Sequence, residues 1–279
     1  YDLIIGNPPY FVMNTSQVDS KYYEYYDGRP NIFILFIIKS LHSLNPDGIL
    51  SFILPRTFLN CLYYNNTREY IANNFKILHI IDCNDKYIDT SQETVIFIVQ
   101  NTNGNNKKYI VDNENYTILG TPDNVSKLNS LYDKSTTLDK LGCTVSVGNI
   151  VWNQCKDILT DDDTKTMLIY SSYIINNQIE IQQYKNPLKK NYICKKGDTD
   201  PVLIVNRGYG VGTYKFDYSM VYGNKEYLLE NHIIRIKSND YATILKSFKN
   251  IKTKTFIKLY FGNSAINITE LKHILPIYT

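Results

Sequence analysis

The chain contains 279 residues, of which 43% are hydrophobic and 20% charged, a composition typical of a folded globular protein. No apolar run approaches the ~18 residues of a membrane-spanning helix, and the five cysteines and four histidines complete no zinc-binding spacing, so no metal site is expected. The formal net charge is +3, and cysteines without any CxxC pair are typical of a reduced, cytoplasmic protein.

The first predicted element is a short buried strand that stops before a pair of prolines. The chain begins YDLIIGNPPYF, in which Leu3–Ile5 has the apolar character of a strand. Pro8 and Pro9 have no backbone N–H and restrict the residue before them, so neither a strand nor a helix continues through them. Asn7 to Tyr10 are therefore expected to form a stiff loop at the carboxyl end of this strand, where ligands bind in open α/β sheets.

A helix and a second strand are predicted next. A polar, tyrosine-rich stretch over residues 12–30 has little periodicity and is expected to be a mobile loop. The helix begins after Asn31 and is expected to bury one face of apolar residues, namely Ile32, Phe33, Phe36, Ile37, Leu41 and Leu44. It ends at the turn Asn45–Gly48, and residues 49–55 follow as a buried strand.

The following segment completes an α/β pattern. A second helix is expected over residues 58–74, and strands are expected over residues 76–82 and 94–101. The last two strands are joined by about ten residues without a helix, so they are expected to pair antiparallel. The alternation of apolar strands and helices predicts part of a doubly wound α/β sheet with this antiparallel hairpin at its edge.

The remaining residues divide into a polar stretch and a second domain. After a first domain over residues 1–114, residues 115–141 are expected to be a linker or peripheral element. Short strands and turns then predict a mixed α+β domain over residues 142–279. Residues 141–279 carry 18 Lys and Arg against 12 Asp and Glu, whereas residues 1–140 carry 12 against 15. The second half is therefore the part expected to meet a polyanion.

The order of strand, NPPY, helix, LNPDGILSFILP, helix and hairpin resembles the gamma-group N6-adenine DNA methyltransferases of restriction–modification systems. The resemblance covers the carboxyl-terminal half of their Rossmann-like catalytic domain. The closing GNSAINITELKHILPI is similar to the end of the target-recognition domains of that group and of type I specificity subunits. The second domain is thereby expected to be a DNA-recognition domain.

The resemblance also implies a cofactor and partners. The cofactor is S-adenosylmethionine, and the partners are double-stranded DNA and a fused or associated restriction nuclease, with no membrane, in a bacterial or virus-infected cell. The family's glycine-rich cofactor loop and acidic ribose-binding residue are expected upstream of Tyr1. This chain alone is therefore expected to be incomplete as an enzyme and to bind the cofactor poorly.

The resemblance assigns roles to the loop residues. The side-chain oxygen of Asn7 and the carbonyl oxygen of Pro8 would accept hydrogen bonds from the exocyclic amino group of an adenine flipped out of the duplex. Tyr10 would take part in catalysis by stacking on that adenine, and Tyr87 would stack on its other face. Asn7 is also the implied cofactor contact within this chain.

Basic residues of the second half are candidates for DNA contacts. Arginine is the commonest base reader and lysines suit phosphates, so the candidates are Arg207, Lys189, Lys190, Lys195 and Lys196. An alternative reading is that Gly208, Gly210 and Gly212, in NRGYGVGTY, form a glycine-rich cofactor loop in a permuted motif order. That reading requires a helix directly after the glycines, whereas the sequence there favours further short strands.

Three functions stay open at this point. The first is a site-specific adenine methyltransferase, and the second is a DNA-binding specificity module without catalysis. The third is an RNA methyltransferase or a protein glutamine N-methyltransferase that shares NPPY. The basic second domain and its closing motif favour the first two.

Overall fold

A computed structural model of the chain describes residues 1–83, 92–208, 214–261 and 265–279. It divides into two compact units, Tyr1–Ser130 and Leu131–Thr279. No helix within these described ranges is both long and apolar enough to cross a bilayer.

The described residues of the first unit form six strands and three α-helices. Its strands are β1 (Leu3–Gly6), β2 (Ile49–Pro55), β3 (Lys76–Cys83), β4 (Thr94–Gln100), β5 (Ile110–Val111) and β6 (Ile118–Leu119). Its helices are α1 (Ile32–His42), α2 (Asn65–Asn74) and α3 (Pro122–Tyr132), the last two residues of α3 belonging to the second unit. Part of the stretch predicted as a linker or peripheral element, residues 115–130, thus lies in the first unit as β6 and most of α3.

The central sheet has the order β1-β2-β4-β3. β1 pairs parallel with β2, and β4 pairs antiparallel with both β2 and β3, as the short connection between β3 and β4 predicts. The sheet is therefore mixed, and the carboxyl ends of β1, β2 and β3 share one edge. β1 is an outer strand, and its Leu3 and Ile5 are 56% and 71% exposed, so the prediction that this strand is buried was wrong.

Helix α1 buries a face that overlaps the predicted one, with Phe33, Ile37, Leu41 and Leu44 in the core as expected. Asn31 caps it, because its side chain accepts a hydrogen bond from the N–H of Phe33. The buried residues are Phe33, Ile34, Ile37, Ile38 and Leu41. Phe36 is 44% exposed, so its prediction as a core residue was wrong. Residues 32–38 are all apolar, and spacing alone does not decide which of them faces the core.

Two further local predictions were wrong. The polar stretch expected to be a mobile loop contains two short 3-10 helices, Thr15–Gln17 and Ser20–Tyr25, with the rings of Tyr25 and Tyr26 buried. The helix expected from residue 58 begins only at Asn65, after two 3-10 turns. The guanidinium of Arg68 in α2 donates hydrogen bonds to carbonyl oxygens of this stretch.

Arg68 is fully buried in the first unit. Its Nη1 donates to the carbonyl oxygens of Phe58 at 2.9 Å and Cys61 at 2.7 Å, and its Nε donates to that of Thr117 at 2.5 Å. In an uninterrupted α-helix the first two carbonyls would accept from helical N–H groups. Arg68 therefore links α2 by hydrogen bonds to the stretch over residues 58–61 and to the residue directly before β6.

The second unit is α+β, with ten strands and three α-helices in the part that the structure describes. The strands are β7 (Thr144–Val147), β8 (Leu159–Thr160), β9 (Thr166–Ile169), β10 (Ile174–Ile175), β11 (Gln178–Ile179), β12 (Tyr192–Ile193), β13 (Val202–Asn206), β14 (Tyr218–Val221), β15 (Tyr227–Leu229) and β16 (Ile233–Lys237). The helices are α4 (Tyr241–Lys249), α5 (Ile251–Tyr260) and α6 (Ile268–His273).

Two four-stranded sheets organise this unit. One has the order β14-β13-β16-β7 and is antiparallel throughout. The other has the order β15-β9-β12-β8, with β15 parallel to β9 and β12 antiparallel to β9 and β8. β13 pairs antiparallel with β14, the next strand along the chain. This strand pairing does not match the strand–loop–helix unit that the permuted cofactor loop requires.

Candidate functional site

The NPPY loop leaves β1 at the edge where β2 also ends. In the parallel register Gly6 lies opposite Phe52, so Asn7 follows near Ile53, two residues before β2 ends at Pro55. Pro8 is buried, whereas Asn7 is exposed at the surface. An exposed amide at a strand end can offer its oxygen to a ligand, which an inward-packed amide could not do.

The Tyr10 hydroxyl connects this loop to β2. It lies 2.6 Å from Oδ1 of Asn7 and 2.7 Å from the carbonyl oxygen of Ile53. A phenol has one proton, so the hydroxyl donates to one of these two oxygens at a time. The ring of Tyr10 is half-buried and packs edge-on against Phe33, with the centroids 6.0 Å apart. Tyr10 thus holds the Asn7 amide in place against the sheet.

The chain that follows the loop is fixed to the start of α1. Ile32 donates its N–H to the carbonyl of Phe11 at 3.0 Å, and Met13 donates to that of Pro30 at 2.8 Å. Val12 and Asn31 form the β-bridge between these two bonds. A strand, a helix start and two prolines therefore hold the loop, and such a fixed arrangement of polar groups is what electrostatic catalysis requires.

The Tyr10 ring packs on a cluster of aromatic rings centred on Phe33. Phe33 packs edge-on against Phe58 and Tyr64, with the ring centroids 6.0 Å and 5.0 Å apart. Burial raises the pKa of Tyr64 to about 12, so this phenol stays neutral at physiological pH. The site therefore has an apolar, uncharged floor.

A charged group that sequence reasoning missed lies at the same edge of the sheet. Nε of Arg56, directly after β2, is 3.3 Å from Oδ1 of Asp82 in β3, and its Nη1 is 3.6 Å from Oε2 of Glu93, just before β4. The backbone N–H of Arg56 also donates to the carbonyl of Glu93. These residues are far apart in sequence, and only the strand order brings them together. Tyr87, the predicted second stacking aromatic, lies outside the described residues.

Comparison with known proteins finds DNA methyltransferases. Residues 1–88 match the Eco57I restriction-modification methylase family. The chain is 26% identical over 291 residues to the type II methyltransferase M.CvrRI of Paramecium bursaria Chlorella virus XZ-6E, an alignment that covers 100% of this chain and 72% of the relative. It is also 26% identical over 283 residues to the modification methylase CviBIII of Paramecium bursaria Chlorella virus NC1A, covering 98% and 70%.

A solved structure shares the fold. The type IIL restriction-modification enzyme MmeI, solved in complex with DNA, has a TM-score of 0.54 to this chain at 12% identity, covering 99% of this chain and 46% of that one. The chain therefore spans about 70% of the two viral relatives and less than half of MmeI. Its homologues are type II DNA methyltransferases of restriction–modification systems.

The lysines predicted to contact DNA have different surroundings in the second unit. Nζ of Lys189 lies 3.9 Å from the ring centroid of Tyr184, 4.2 Å from that of Tyr170 and 5.5 Å from that of Trp152. Burial lowers the pKa of Lys189, an effect that the charge of Glu230 opposes. This lysine is therefore held within an aromatic cage by cation–π contacts.

The other predicted DNA contacts have three kinds of surroundings. Lys190 forms an ion pair with Asp161. Lys195 and Lys196, which follow β12 after one residue, are exposed and line a concave site. Arg207, directly after β13, is exposed, and its backbone N–H donates to the carbonyl of His232. Two of the five candidates thus have side-chain partners within the protein, and two share a cavity.

Proposed function

We propose that this chain carries the catalytic loop and the recognition domain of a site-specific DNA adenine methyltransferase. The reaction transfers a methyl group from S-adenosylmethionine to the exocyclic N6 of an adenine flipped out of duplex DNA. The observation that carries the proposal is the exposed Asn7 amide, held by the Tyr10 hydroxyl at the end of β1 beside the two rigid prolines. The match of residues 1–88 to a methylase family supports it.

The exocyclic amino group of adenine is a poor nucleophile, and two hydrogen-bond acceptors in this loop can increase its reactivity. The lone pair of this amino group is delocalised into the ring and is poorly available. Hydrogen bonds from the two amino hydrogens to Oδ1 of Asn7 and to the carbonyl oxygen of Pro8 favour a pyramidal nitrogen, whose lone pair is localised. The prolines restrict this carbonyl's orientation in advance, so little reorganisation is needed during reaction.

The residues present fit one part of a cofactor site, because the exposed Asn7 amide lies where ligands bind in such sheets. S-adenosylmethionine supplies an electrophilic methyl carbon on a sulfonium when it is bound. Asn7 orients the amino nitrogen toward that carbon and, as a neutral amide, takes up no proton. The proton that the nitrogen loses after gaining the methyl group therefore goes to solvent.

Tyr10 serves the flipped base in two ways. Its ring offers a stacking surface, which returns roughly 1–3 kcal/mol against a flipping cost of a few kcal/mol. Its hydroxyl lies 2.6 Å from the Asn7 oxygen that the adenine amino group needs. An amide oxygen has two lone pairs, so this oxygen can accept from the hydroxyl and from the amino group at the same time. In this proposal Tyr87 stacks on the opposite face of the base.

We expect the ring of Tyr10 to matter more than its hydroxyl. Tyr10→Ala should lower kcat/KM for duplex DNA about 10- to 100-fold because the stacking energy is lost, whereas Tyr10→Phe should lower it by less than tenfold. Steady-state kinetics on both variants check this. Placing the target adenine opposite an abasic site lowers the free-energy cost of flipping, so it should partly restore the kcat/KM of Tyr10→Ala. Equal losses in the two variants would show that stacking is not the role of Tyr10.

The second unit is proposed to recognise the DNA. Arg207 is the proposed base reader, and lysines of this unit contact phosphates. A restriction nuclease, fused or separate, is the proposed partner, in line with the restriction–modification systems of the homologues.

The class of substrate decides among the candidate functions. The protein that contains this chain is incubated with S-adenosylmethionine labelled in its methyl group and with equal amounts of duplex DNA, structured RNA or a protein glutamine substrate. We expect label in the duplex DNA alone. Label in RNA or protein would favour the alternative methyltransferases. Duplex binding without any label would favour a recognition module without catalysis.

A further inference from the structure

Three strand ends of the second unit bring lysines to one edge of a sheet. β9 and β15 are parallel and begin at this edge, and β12, antiparallel to β9, ends there. Lys165 directly precedes β9, and Lys225 lies two residues before β15. Lys195 and Lys196 follow β12 after one residue. The strand order thus collects four lysines from three separate stretches of sequence.

These lysines line a concave site of about 720 Å³, which we call the lysine cleft. Its lining consists of Asp163, Thr164, Lys165, Thr166, Ile193, Cys194, Lys195, Lys196, Lys225 and Glu226. All four lysines are exposed. The lining contains no aromatic ring on which a base could stack.

One of the two carboxylates of the lysine cleft is bound within the protein. Oε2 of Glu226 accepts hydrogen bonds from the N–H of Gly197 at 3.0 Å and from Oγ1 of Thr166 at 3.1 Å. The bond from Gly197, then that from Thr166, holds the pKa of Glu226 below its usual range. A Cβ at Gly197 would lie 2.6 Å from Cγ2 of Thr166, so the strand ends are tightly packed here. Glu226 therefore acts as a clamp between the strand ends.

The four lysines differ from the neighbouring pair at positions 189 and 190. Lys189 is enclosed by aromatic rings and Lys190 is paired with Asp161. Among the residues that the structure describes, none of the four lysines of the cleft forms an ion pair. With four ammonium groups against two carboxylates, the cleft has an excess of positive charge. Its chemistry suits an anion with several charges.

We propose that the lysine cleft binds successive phosphates along one strand of duplex DNA, without reading its sequence. This inference rests on the proposed function and extends it to Lys165 and Lys225. The excess of exposed ammonium groups and the absence of a stacking aromatic ring favour a contact with the phosphate backbone, which positions the protein on the duplex. Lys189 and Lys190 serve to hold the segment before β12 in place.

Salt dependence of DNA binding tests the assignment. Binding of the 279-residue chain to a labelled duplex is followed by fluorescence anisotropy over a series of NaCl concentrations. The double variant Lys195→Gln/Lys225→Gln should weaken binding to all duplex sequences alike. It should also make the negative slope of log K against log salt shallower by about 1.8, because each phosphate contact contributes about 0.9 to its magnitude. Lys190→Gln is the matched control and should keep the wild-type slope.

A second variant is expected to gain affinity. Glu226→Gln keeps an oxygen for Gly197 and Thr166 but removes one negative charge, and it should bind the duplex about threefold more tightly. Because misfolding does not strengthen binding, this gain is independent of variant stability.

Several outcomes would overturn the proposal. One is an unchanged salt dependence in the double variant when its melting temperature equals that of the wild type. Another is that Glu226→Gln gains no affinity for the duplex. The last two are that the wild-type chain does not bind duplex DNA, or that it binds duplex RNA more tightly. These measurements contain no methyl transfer. If the binding measurements contradict the lysine cleft but labelled methyl groups still enter DNA, the proposed function stands. If DNA binds through the cleft but no labelled methyl group enters it, only the proposed function is overturned.

Discussion

Asn7→Ala should lower kcat for methyl transfer to duplex DNA about 10²- to 10³-fold, the loss typical of removing one preorganised hydrogen-bonding group from a reacting centre. The truncation removes the oxygen that localises the amino lone pair, and it also removes one of the two oxygens close to the Tyr10 hydroxyl. Because Asn7 is exposed, the fold should be unaffected. Single-turnover rates with labelled cofactor measure the chemical step directly, separately from product release.

Two further variants sharpen this test. Asn73→Ala changes an exposed asparagine on α2 and should keep the wild-type rate. Asn7→Asp retains acceptor oxygens and should lose less activity than Asn7→Ala. A wild-type rate in Asn7→Ala would remove the side-chain acceptor from the mechanism. Equal losses in Asn7→Ala and Asn73→Ala would mean that the loss reflects stability.

Arg68→Leu should lower the free energy of unfolding by about 3 kcal/mol. The substitution leaves the carbonyl oxygens of Phe58, Cys61 and Thr117 without the guanidinium that they bind. Hydrogen bonds from a charged donor are worth about 1.5–3 kcal/mol each, and the desolvation cost of burying the guanidinium offsets part of their sum. Urea denaturation followed by circular dichroism gives the change.

Two control variants test whether the loss of stability comes from the guanidinium group itself. Glu69→Ala alters the next residue of α2, which is exposed, and should change stability by less than about 0.5 kcal/mol. Arg68→Lys keeps the charge but lacks the planar fork that reaches three carbonyls, so it should also be destabilising. A fully stable Arg68→Leu would mean that apolar packing replaces the three bonds without loss.

The sequence was informative where backbone chemistry is local. Two prolines after an apolar strand stop that strand wherever they occur, and Asn7 to Tyr10 accordingly form the loop at the end of β1. The short connection after β3 similarly required an antiparallel partner, which is β4.

Features set by long-range packing were not accessible in this way. Nothing in the pattern around Arg68 indicates that its side chain is buried, because its three acceptors come from other segments. The same holds for Arg56 with Asp82, and for Lys165 and Lys225, which join Lys195 only through the strand order. Such clusters follow from topology, which a single sequence specifies only weakly.

The most direct test of the central claim is the identity of the modified nucleoside. The protein that contains this chain is expressed in a bacterial host without adenine or cytosine methylation, and the host DNA is hydrolysed and analysed by mass spectrometry. The acceptor geometry of Asn7 and Pro8 predicts N6-methyladenine, present with the wild type and strongly reduced with Asn7→Ala. A methylated cytosine, or DNA without any methylated base, would contradict it.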